Sequence, residues 1–274
     1  MEHPFKKIYA KANSCNINNI PDFPVLVDVE LTNKCNLKCT MCPGQNTKME
    51  RGELRWEIFA KIVEEQNRHK TPMRFVRWGE PTMNEFMYAF TSIERDFLIH
   101  VNTNGVIEER YGLSFADSVK FSMQGVDKES YTKVRGDHWN TVIKNITELY
   151  NTPNRPYIEI GTTTEGEDAT EFIEQMSKIS DKVSVGRTYH VGGDNSDLTP
   201  MTKCSEVYSK LSVNWDGTVS ACCRDWDAKM IVGDLHEQTL QEIWNSDKLK
   251  QVRETLSRTN KPCSSCYIYT EMGE

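Results

Sequence analysis

Six short runs rich in β-branched and aromatic residues alternate with helix-like segments between about residue 24 and residue 188. Each run has the length of a strand, and strands that alternate with helices indicate a parallel sheet. We therefore predict an α/β fold, a partial (β/α)6 barrel that resembles an incomplete TIM barrel. The strand candidates are PVLVDVEL, MRFVRW, FLIHVNTN, SVKFSM, YIEIGTTT and KVSVGRT.

Polar residues alternate with apolar ones in several of these runs, although buried parallel strands usually read as continuous apolar stretches. The pattern indicates either a solvated sheet face or a barrel lumen that holds polar ligands. Because ligand sites gather at the carboxyl ends of parallel strands, we favour the lumen. The alternating polar positions include Asp28, Glu30, His100, Asn102, Asn104, Glu159 and Thr163.

A second unit follows HVGGDNSDLTP, a Gly- and Asp-rich stretch without periodicity that is typical of a linker. In KLSVNWDGTVSAC, two strand-like arms flank Asp216 and Gly217, which predicts a hairpin with a two-residue turn. Thr239 and Glu242 have the spacing of a capping box that opens a short helix. We predict an N-terminal extension (1–23), a barrel (24–189), a linker (190–203) and a C-terminal module of a hairpin and helices (204–274).

The charge and hydropathy of the chain restrict its partners. A formal net charge of -7 provides no basic field for phosphate backbones, so we expect no nucleic acid and no membrane partner. No apolar stretch approaches the length of a membrane span, and the N-terminal sequence MEHPFKKIYAK lacks the apolar core of a secretory signal. These features predict a cytoplasmic protein.

Nine cysteines are an odd number for a disulfide framework, and a cytoplasmic chain has no oxidising compartment to pair them. Ligation of a metal or a cluster is the stronger interpretation. Cys35, Cys39 and Cys42 follow the first predicted strand, with three and then two residues between them. Three thiolates suit a [4Fe-4S] cluster with one open iron, whereas a zinc site would need a fourth ligand, and no further Cys or His lies nearby in the sequence.

This C-x3-C-x2-C spacing resembles that of the radical S-adenosylmethionine (SAM) superfamily. WGEP at 78–81 resembles the family's Gly-Gly-Glu-Pro motif, VNTNG at 101–105 its Thr-Asn-Gly and FSMQG at 121–125 its Ser-x-Asp-Gly, with Trp78 and Gln124 as departures. The resemblance implies that SAM binds the open iron and is cleaved to a 5′-deoxyadenosyl radical, which abstracts hydrogen from the substrate. The SAM-binding residues that it implies are Gly79, Glu80, Asn102, Ser122 and Arg135.

Further candidate site residues lie at or near the ends of predicted strands, where substrate contacts are expected. We place Arg187, His190 and Gln124 in this group as candidate catalytic residues, and His190 could act as a general base near neutral pH. Each of them also has a purely structural interpretation. Arg135 suits bidentate binding of the SAM carboxylate, and it equally fits a solvated helix end.

The C-terminal cysteines resemble those of SPASM-type auxiliary-cluster modules, and their small number resembles the shortened Twitch version with one auxiliary [4Fe-4S] cluster. The ligands that this resemblance implies are Cys204, Cys222, Cys263 and Cys266. Adjacent strand residues point to opposite faces, so we expect only one of Cys222 and Cys223 to face the cluster, and the family pattern favours Cys222. Structural zinc held by the same four thiolates is the alternative.

These resemblances together imply two [4Fe-4S] clusters and SAM as cofactors, with an external one-electron donor such as flavodoxin or ferredoxin. A fully ligated auxiliary cluster suits electron transfer, which favours the two-electron oxidation of a small-molecule substrate, a sugar, aminocyclitol or related polyol. The architecture resembles that of the family's 2-deoxy-scyllo-inosamine dehydrogenases. The alternatives are a maturase that crosslinks or epimerises a ribosomal peptide, and a non-catalytic zinc or iron-sulfur protein. An epimerase would need a thiol hydrogen donor, for which Cys15 and Cys223 are the candidates.

Overall fold

The computed structural model describes residues 1–45, 48–107, 113–188 and 204–255. It confirms the six predicted strands, which lie side by side in chain order, each parallel to the next. This order is that of a partial barrel, as predicted. The strands are β1 (Leu26–Val29), β2 (Met73–Phe75), β3 (Ile99–Thr103), β4 (Ser118–Ser122), β5 (Tyr157–Thr164) and β6 (Lys182–Arg187).

The crossover from β2 to β3 contains two 3-10 helices, Pro81–Met83 and Glu85–Thr91, in place of an α-helix. Pro81 starts the first of them, and the Asn84 side chain accepts the backbone N–H of Phe86 at 2.9 Å to start the second. The (β/α) repeat is therefore less regular than predicted. The α-helices of the barrel are α1 (Lys6–Ser14), α2 (Trp56–His69), α3 (Lys128–Arg135), α4 (Trp139–Tyr150) and α5 (Thr170–Met176).

The C-terminal module continues the barrel's sheet. Its first strand, β7 (Lys210–Val213), is parallel to β1, and β8 (Thr218–Ser220) and β9 (Ile231–Asp234) follow in antiparallel pairs. The predicted domain boundary at residue 204 stays a prediction. The module's helices are α6 (Glu206–Ser209), α7 (Leu240–Trp244) and α8 (Asp247–Thr255). Within the described ranges, none of the helices has the length and apolar character to cross a membrane.

The predicted hairpin between β7 and β8 is confirmed, but its turn is longer than two residues. The backbone N–H of Asn214 donates to the Thr218 carbonyl at 2.8 Å and closes a loop of Trp215, Asp216 and Gly217. In this loop only Gly217 has a positive φ, +86°. A two-residue type I′ turn needs a positive φ at both positions, so the extra residue lets Asp216 keep an ordinary backbone conformation.

The N-terminal segment closes the barrel at the amino ends of its strands. Phe5 is fully buried, and its ring centroid lies 5.7 Å from that of His100 in β3. The ring of His3 lies 4.6 Å from that of Tyr157, the first residue of β5. The rings of His3, Phe5 and Tyr157 form an aromatic plug at the amino ends of the strands. Ligands therefore have to enter the barrel at the carboxyl ends.

Paired charges fill the lumen above this aromatic plug. Arg74 donates two hydrogen bonds to the fully buried Asp28 at 2.7 and 2.9 Å, and Lys120 forms an ion pair with Glu159 at 2.8 Å. Burial alone raises the pKa of Glu159, but Lys120, Ser184 and Lys182 together lower it to about 2. The alternating polar residues therefore face a lumen rather than solvent, and these two carboxylates are already paired with cations of the protein.

Candidate functional site

A cavity of about 310 Å³ lies at the carboxyl ends of the barrel strands. Its lining combines residues of the loops after β1 and β2 with Ser122 of β4, Thr163 of β5 and Arg187 of β6. We call this space the central cavity. The predicted site residues that line it are Cys35, Cys39, Cys42, Gly79, Glu80, Asn102, Ser122, Arg135 and Arg187.

Three thiols of the loop after β1 face the central cavity. The backbone N–H of Leu37 donates to Cys35 Sγ at 3.4 Å, and burial raises the pKa of Cys35, Cys39 and Cys42. The seven cysteines of the described ranges are all free thiols. In the same part of the chain, no three Cys, His, Asp or Glu side chains converge as they would around a single metal ion.

Gly79 allows the end of β2 to pack directly against the segment before Cys35. A Cβ atom at Gly79 would lie 1.9 Å from the Thr32 carbonyl oxygen, and the N–H of Glu80 donates to the Lys34 carbonyl at 2.9 Å. Trp78 is compatible with this contact, because its backbone N–H, a group that any residue except proline supplies, donates to the buried Glu30 carboxylate at 3.2 Å. The close approach requires glycine at position 79 but tolerates tryptophan at position 78.

The Glu80 side chain joins the ends of β2 and β3. Its carboxylate accepts hydrogen bonds from Thr82, from the Thr103 hydroxyl at 2.8 Å and from the Asn104 backbone N–H at 2.7 Å. Burial raises the pKa of Glu80, while these hydrogen bonds oppose the increase. The carboxylate is therefore fully engaged by the protein and holds the WGEP and VNTNG motifs together.

Three buried donors at the central cavity have no hydrogen-bond acceptor among the described residues. They are Arg77 Nε, Trp78 Nε1 and Arg135 Nε. Unpaired buried donors are costly, so such atoms indicate a bound acceptor. Arg135 lies near Cys39 and Cys42 and contributes to their pKa values. The arrangement fits a cluster on the three thiolates and an amino-acid carboxylate at Arg135, as the family resemblance implies.

Arg77 connects the central cavity with the C-terminal module. Its guanidinium donates to the side chain of Asn214 and to the carbonyls of Cys222 and Asp225, the latter two at 3.4 and 3.3 Å. The loop from Cys222 to Asp225 also supplies Arg224, which lines the cavity. Sequence reasoning missed Arg224 because no strand-end or motif signal marks it.

Cys222 and Cys223 follow the end of β8 at Ser220, so the alternation of strand side chains does not apply to them. The expectation that they point to opposite faces is wrong. The two thiols are hydrogen-bonded to each other, and this contact raises the pKa of Cys222 and lowers that of Cys223, which also donates to Glu206 at 3.6 Å. The choice of Cys222 as ligand stays a prediction. Cys204 lies just before α6, while Cys263 and Cys266 lie outside the described residues.

Gln124 is buried and does not line the central cavity. Its amide nitrogen donates to the Thr188 hydroxyl at 2.9 Å, and its amide oxygen accepts the Thr163 hydroxyl at 2.7 Å. These hydrogen bonds tie the ends of β4, β5 and β6 together, and the catalytic role of Gln124 stays a prediction. His190, the other candidate in this group beside Arg187, lies outside the described residues.

Two family models match the chain. Residues 29–164 match the model described as the radical SAM superfamily, and residues 204–267 match SPASM, an iron-sulfur cluster-binding domain. The first match contains the cysteine loop and the three strand-end motifs, and the second contains the four predicted auxiliary-cluster cysteines.

Curated relatives resemble the chain over different lengths. An S-adenosyl-L-methionine-dependent 2-deoxy-scyllo-inosamine dehydrogenase from Niallia circulans is 22% identical over 266 residues, which are 90% of this chain and 95% of the relative. A tungsten-containing aldehyde ferredoxin oxidoreductase cofactor-modifying protein from Pyrococcus furiosus is 31% identical, but the match covers 29% of this chain and 23% of the relative. The mycofactocin maturase MftC of Mycobacterium ulcerans is 29% identical over 42% of this chain and 33% of its own length.

Solved structures share the fold. SuiB of Streptococcus suis bound to the precursor peptide SuiA has a TM-score of 0.72 at 16% identity, over 97% of this chain and 74% of that one. BtrN in complex with AdoMet and 2-DOIA has a TM-score of 0.56 at 16% identity, over 85% and 87%. Their likeness shows the fold, and the family matches show the cofactors: SAM, a [4Fe-4S] cluster and auxiliary iron-sulfur cluster binding. The chain therefore belongs to the radical SAM superfamily, as an enzyme that carries a SPASM domain.

Proposed function

We propose that this enzyme oxidises a hydroxyl group of a sugar, aminocyclitol or related polyol by two electrons. The observation that carries the proposal is the contact of Arg77 with the carbonyls of Cys222 and Asp225. This contact keeps the predicted auxiliary-cluster loop at the wall of the cavity that holds Cys35, Cys39 and Cys42. A substrate in the cavity would thus have an electron acceptor nearby.

When bound and reduced, the cluster and SAM supply a deoxyadenosyl radical that removes a hydrogen atom from the carbinol carbon. Oxidation of an alcohol to a ketone then requires the loss of one proton and one further electron. An auxiliary cluster held by the Cys222 loop would supply the acceptor for this electron. Arg187 lines the cavity and is the candidate to contact the substrate hydroxyl, and His190, which lies outside the described residues, stays the candidate that the sequence offers for accepting the proton.

The remaining side chains of the site bind and orient. Arg135 would hold the SAM carboxylate with its fork of donors, and Asn102 and Ser122 would offer polar contacts at the ends of β3 and β4. Arg77 fixes the auxiliary loop, and Gln124 fixes the position of Thr163. The aromatic plug at the amino ends excludes water from below, which protects a radical from side reactions.

The first experiment measures iron, sulfide and zinc in anaerobically purified protein. We expect about eight iron atoms per chain, falling to about four when Cys35, Cys39 and Cys42 are replaced by Ala. Incubation with SAM, dithionite and a panel of polyols should then give 5′-deoxyadenosine and a carbonyl product in equal amounts. About four iron atoms with one zinc would rule out the electron path through the module.

The role of the auxiliary loop is tested by Cys222→Ala with Cys15→Ala as its control. Cys15 caps the C-terminus of α1, its thiol donates to the Lys11 carbonyl at 3.3 Å, and it does not line the central cavity. Cys222→Ala should abolish the carbonyl product while SAM cleavage continues, and Cys15→Ala should keep the product. Unchanged oxidation in Cys222→Ala would contradict the proposed electron path.

The second candidate function is maturation of a ribosomal peptide, by crosslinking or epimerisation. It is favoured by the fold likeness to SuiB and by the partial match to the maturase MftC. Neither candidate thiol donor for epimerisation, Cys15 or Cys223, belongs to the lining of the central cavity in the described ranges. Consumption of a precursor peptide without oxidation of any polyol would favour the maturase.

A further inference from the structure

His100, Asn102 and Ser118 form a hydrogen-bonded row across two strands of the barrel. His100 and Asn102 are two residues apart on β3, so their side chains point to the same side of the sheet, and the strand register pairs His100 with Ser118 of β4. The His100 ring is hydrogen-bonded through Nδ1 to the Ser118 hydroxyl and through Nε2 to the Asn102 amide oxygen, both at 2.7 Å. Of these three residues, only Asn102 lines the central cavity.

The buried Ser118 hydroxyl decides which ring nitrogen of His100 carries its hydrogen. Burial, together with the positive charge of Arg74, lowers the pKa of His100 to about 3, so the ring is neutral and has a single N–H. Among the described residues, His100 is the only hydrogen-bond partner of the Ser118 hydroxyl, which is fully buried. If Nδ1 carried the hydrogen, the hydroxyl hydrogen would have no acceptor, which is costly in a buried position. The Ser118 hydroxyl therefore donates to Nδ1, and Nε2 carries the hydrogen.

This tautomer fixes the orientation of the Asn102 amide. The Nε2–H group of His100 donates to the amide oxygen, so the amide NH2 group points away from the ring. Within the described ranges, this NH2 group has no acceptor. Because Asn102 lines the central cavity, its N–H donors are available to a ligand there. The cavity wall at Asn102 therefore favours a ligand with a hydrogen-bond acceptor.

Asn102 is also close to the cluster loop. Asn104 lies two residues further along the chain, a distance of about 7 Å in an extended strand. The Asn104 amide nitrogen lies 3.8 Å from Cys35 Sγ and donates to Asn36 Oδ1 at 2.8 Å, while Glu80 accepts the Asn104 backbone N–H. SAM is the cofactor expected at this loop, and its carboxylate and ribose oxygens are hydrogen-bond acceptors.

We propose that His100 is a positioning residue for SAM binding, because it turns the Asn102 NH2 group to the cavity, where this group donates to an oxygen of SAM. Ser118 sets the tautomer of the ring, the ring sets the amide, and the amide binds the cofactor. This role goes beyond the proposed oxidation, since either candidate reaction needs SAM. It can therefore hold even if no polyol is oxidised.

Calorimetric titration of SAM into the anaerobic, iron-loaded enzyme tests this role without turnover. A Gln side chain is long enough to donate from the position of His100 Nε2, whereas the shorter Asn side chain is not. His100→Asn should therefore weaken SAM binding by about tenfold or more at unchanged iron content, and His100→Gln should restore most of the affinity. His69→Asn is the matched control, because the His69 ring stacks on Phe23 at 3.9 Å and does not line the central cavity.

Three results of this titration would overturn the role of His100. The first is wild-type SAM affinity in His100→Asn. The second is an equal loss in His100→Asn and His100→Gln, because the ring would then only fill space. The third is an equal loss in His69→Asn.

A double variant separates positioning from general destabilisation. Asn102→Ala removes the donor itself, so adding His100→Asn to it should weaken SAM binding no further. Losses that add in the double variant overturn the positioning role, because His100 would then act on SAM binding without Asn102.

Asn102→Asp tests the same contact if His100→Asn does not load iron. The carboxylate still accepts the Nε2 hydrogen of His100 but presents an acceptor to the cavity in place of the NH2 group. SAM binding should fall by about tenfold or more at unchanged iron content. Unchanged SAM affinity in Asn102→Asp, with or without a higher KM for the substrate, overturns the assignment of SAM as the ligand of Asn102.

Discussion

The carboxylate of Glu65 in α2 accepts the backbone N–H of Leu240, the first residue of α7, at 2.8 Å. A second oxygen accepts the N–H of Gln241 at 3.1 Å. Glu65 is buried, and the first N–H groups of a helix have no acceptor within the helix. One carboxylate of the barrel thereby holds the N-terminus of a helix in the C-terminal module, which fixes the module beside β1.

Glu65→Gln should lower the free energy of unfolding by about 1 to 3 kcal/mol. The amide NH2 of the new side chain would face a backbone N–H donor, and the negative charge at the N-terminus of α7 would be lost. Chemical denaturation of the iron-loaded protein measures the loss. Glu64→Gln is the control, since Glu64 is exposed on the same helix and its ion pair with Arg68 lies at the surface. Equal stability of both variants would show that Glu65 does not hold the module.

Phe5→Ala should destabilise the barrel by about 3 kcal/mol, because it removes a fully buried ring from the aromatic plug. Ile17→Ala is the control, because this apolar side chain of the same N-terminal segment is 49% exposed and its loss should have little effect. Thermal unfolding of the two variants gives the comparison. A small effect of Phe5→Ala would mean that the N-terminal segment contributes little to closing the lumen.

Gly79→Ala should abolish cluster loading as well as lower stability, because the added Cβ meets the Thr32 carbonyl three residues before Cys35. Iron content and SAM binding measure this effect. Gly166→Ala separates steric clash from backbone strain, since its Cβ would meet no atom within 4 Å although its φ is +117°. Normal iron loading in Gly79→Ala would contradict the role of this close contact.

His100 should make stability fall as the pH decreases below neutrality. Burial, together with the positive charge of Arg74, lowers the pKa of His100 from 6.5 to about 3. Below pH 6.5 the unfolded chain therefore binds a proton at His100 that the folded protein does not bind. Stability is fully present above pH 6.5 and is lost at roughly 1 kcal/mol per pH unit as the pH falls toward 3.

His100→Gln should flatten this pH dependence between pH 6.5 and 5, as measured by urea denaturation at each pH. Ser118→Ala is the matched control, because it removes the hydroxyl hydrogen-bonded to His100 Nδ1 at 2.7 Å but keeps the imidazole. The control should lose stability at all pH values and keep the slope. An unchanged slope in His100→Gln would assign the pH dependence to other groups.

The sequence predicted the elements and the cofactor chemistry because both depend on local order. Runs with alternating or continuous apolar residues predicted all six barrel strands. The spacing of Cys35, Cys39 and Cys42 predicted the cluster, because the three ligands share one loop. The Thr239 and Glu242 capping box is confirmed for the same reason, since its partners are three residues apart. Chain topology then brought the strand-end motifs to one cavity, as parallel strands require.

Tertiary structure decided what each polar side chain faces. Sequence alone left Asp28 and Glu159 open as ligand contacts, yet both are paired with cations from neighbouring strands. Gln124 stands where the family motif has Asp, and its hydrogen bonds to Thr163 and Thr188 hold it beside the cavity.

In the C-terminal module, too, the sequence did not reveal which distant residues come into contact. Arg224 lines the cavity from a loop that Arg77, 147 residues earlier in the chain, binds through two carbonyls. Strand periodicity could not reveal that β7 pairs with β1, because register and pairing depend on which buried surfaces meet after folding. The sequence therefore determined the fold class and the cofactors, and the packing of distant segments determined which side chains line the central cavity.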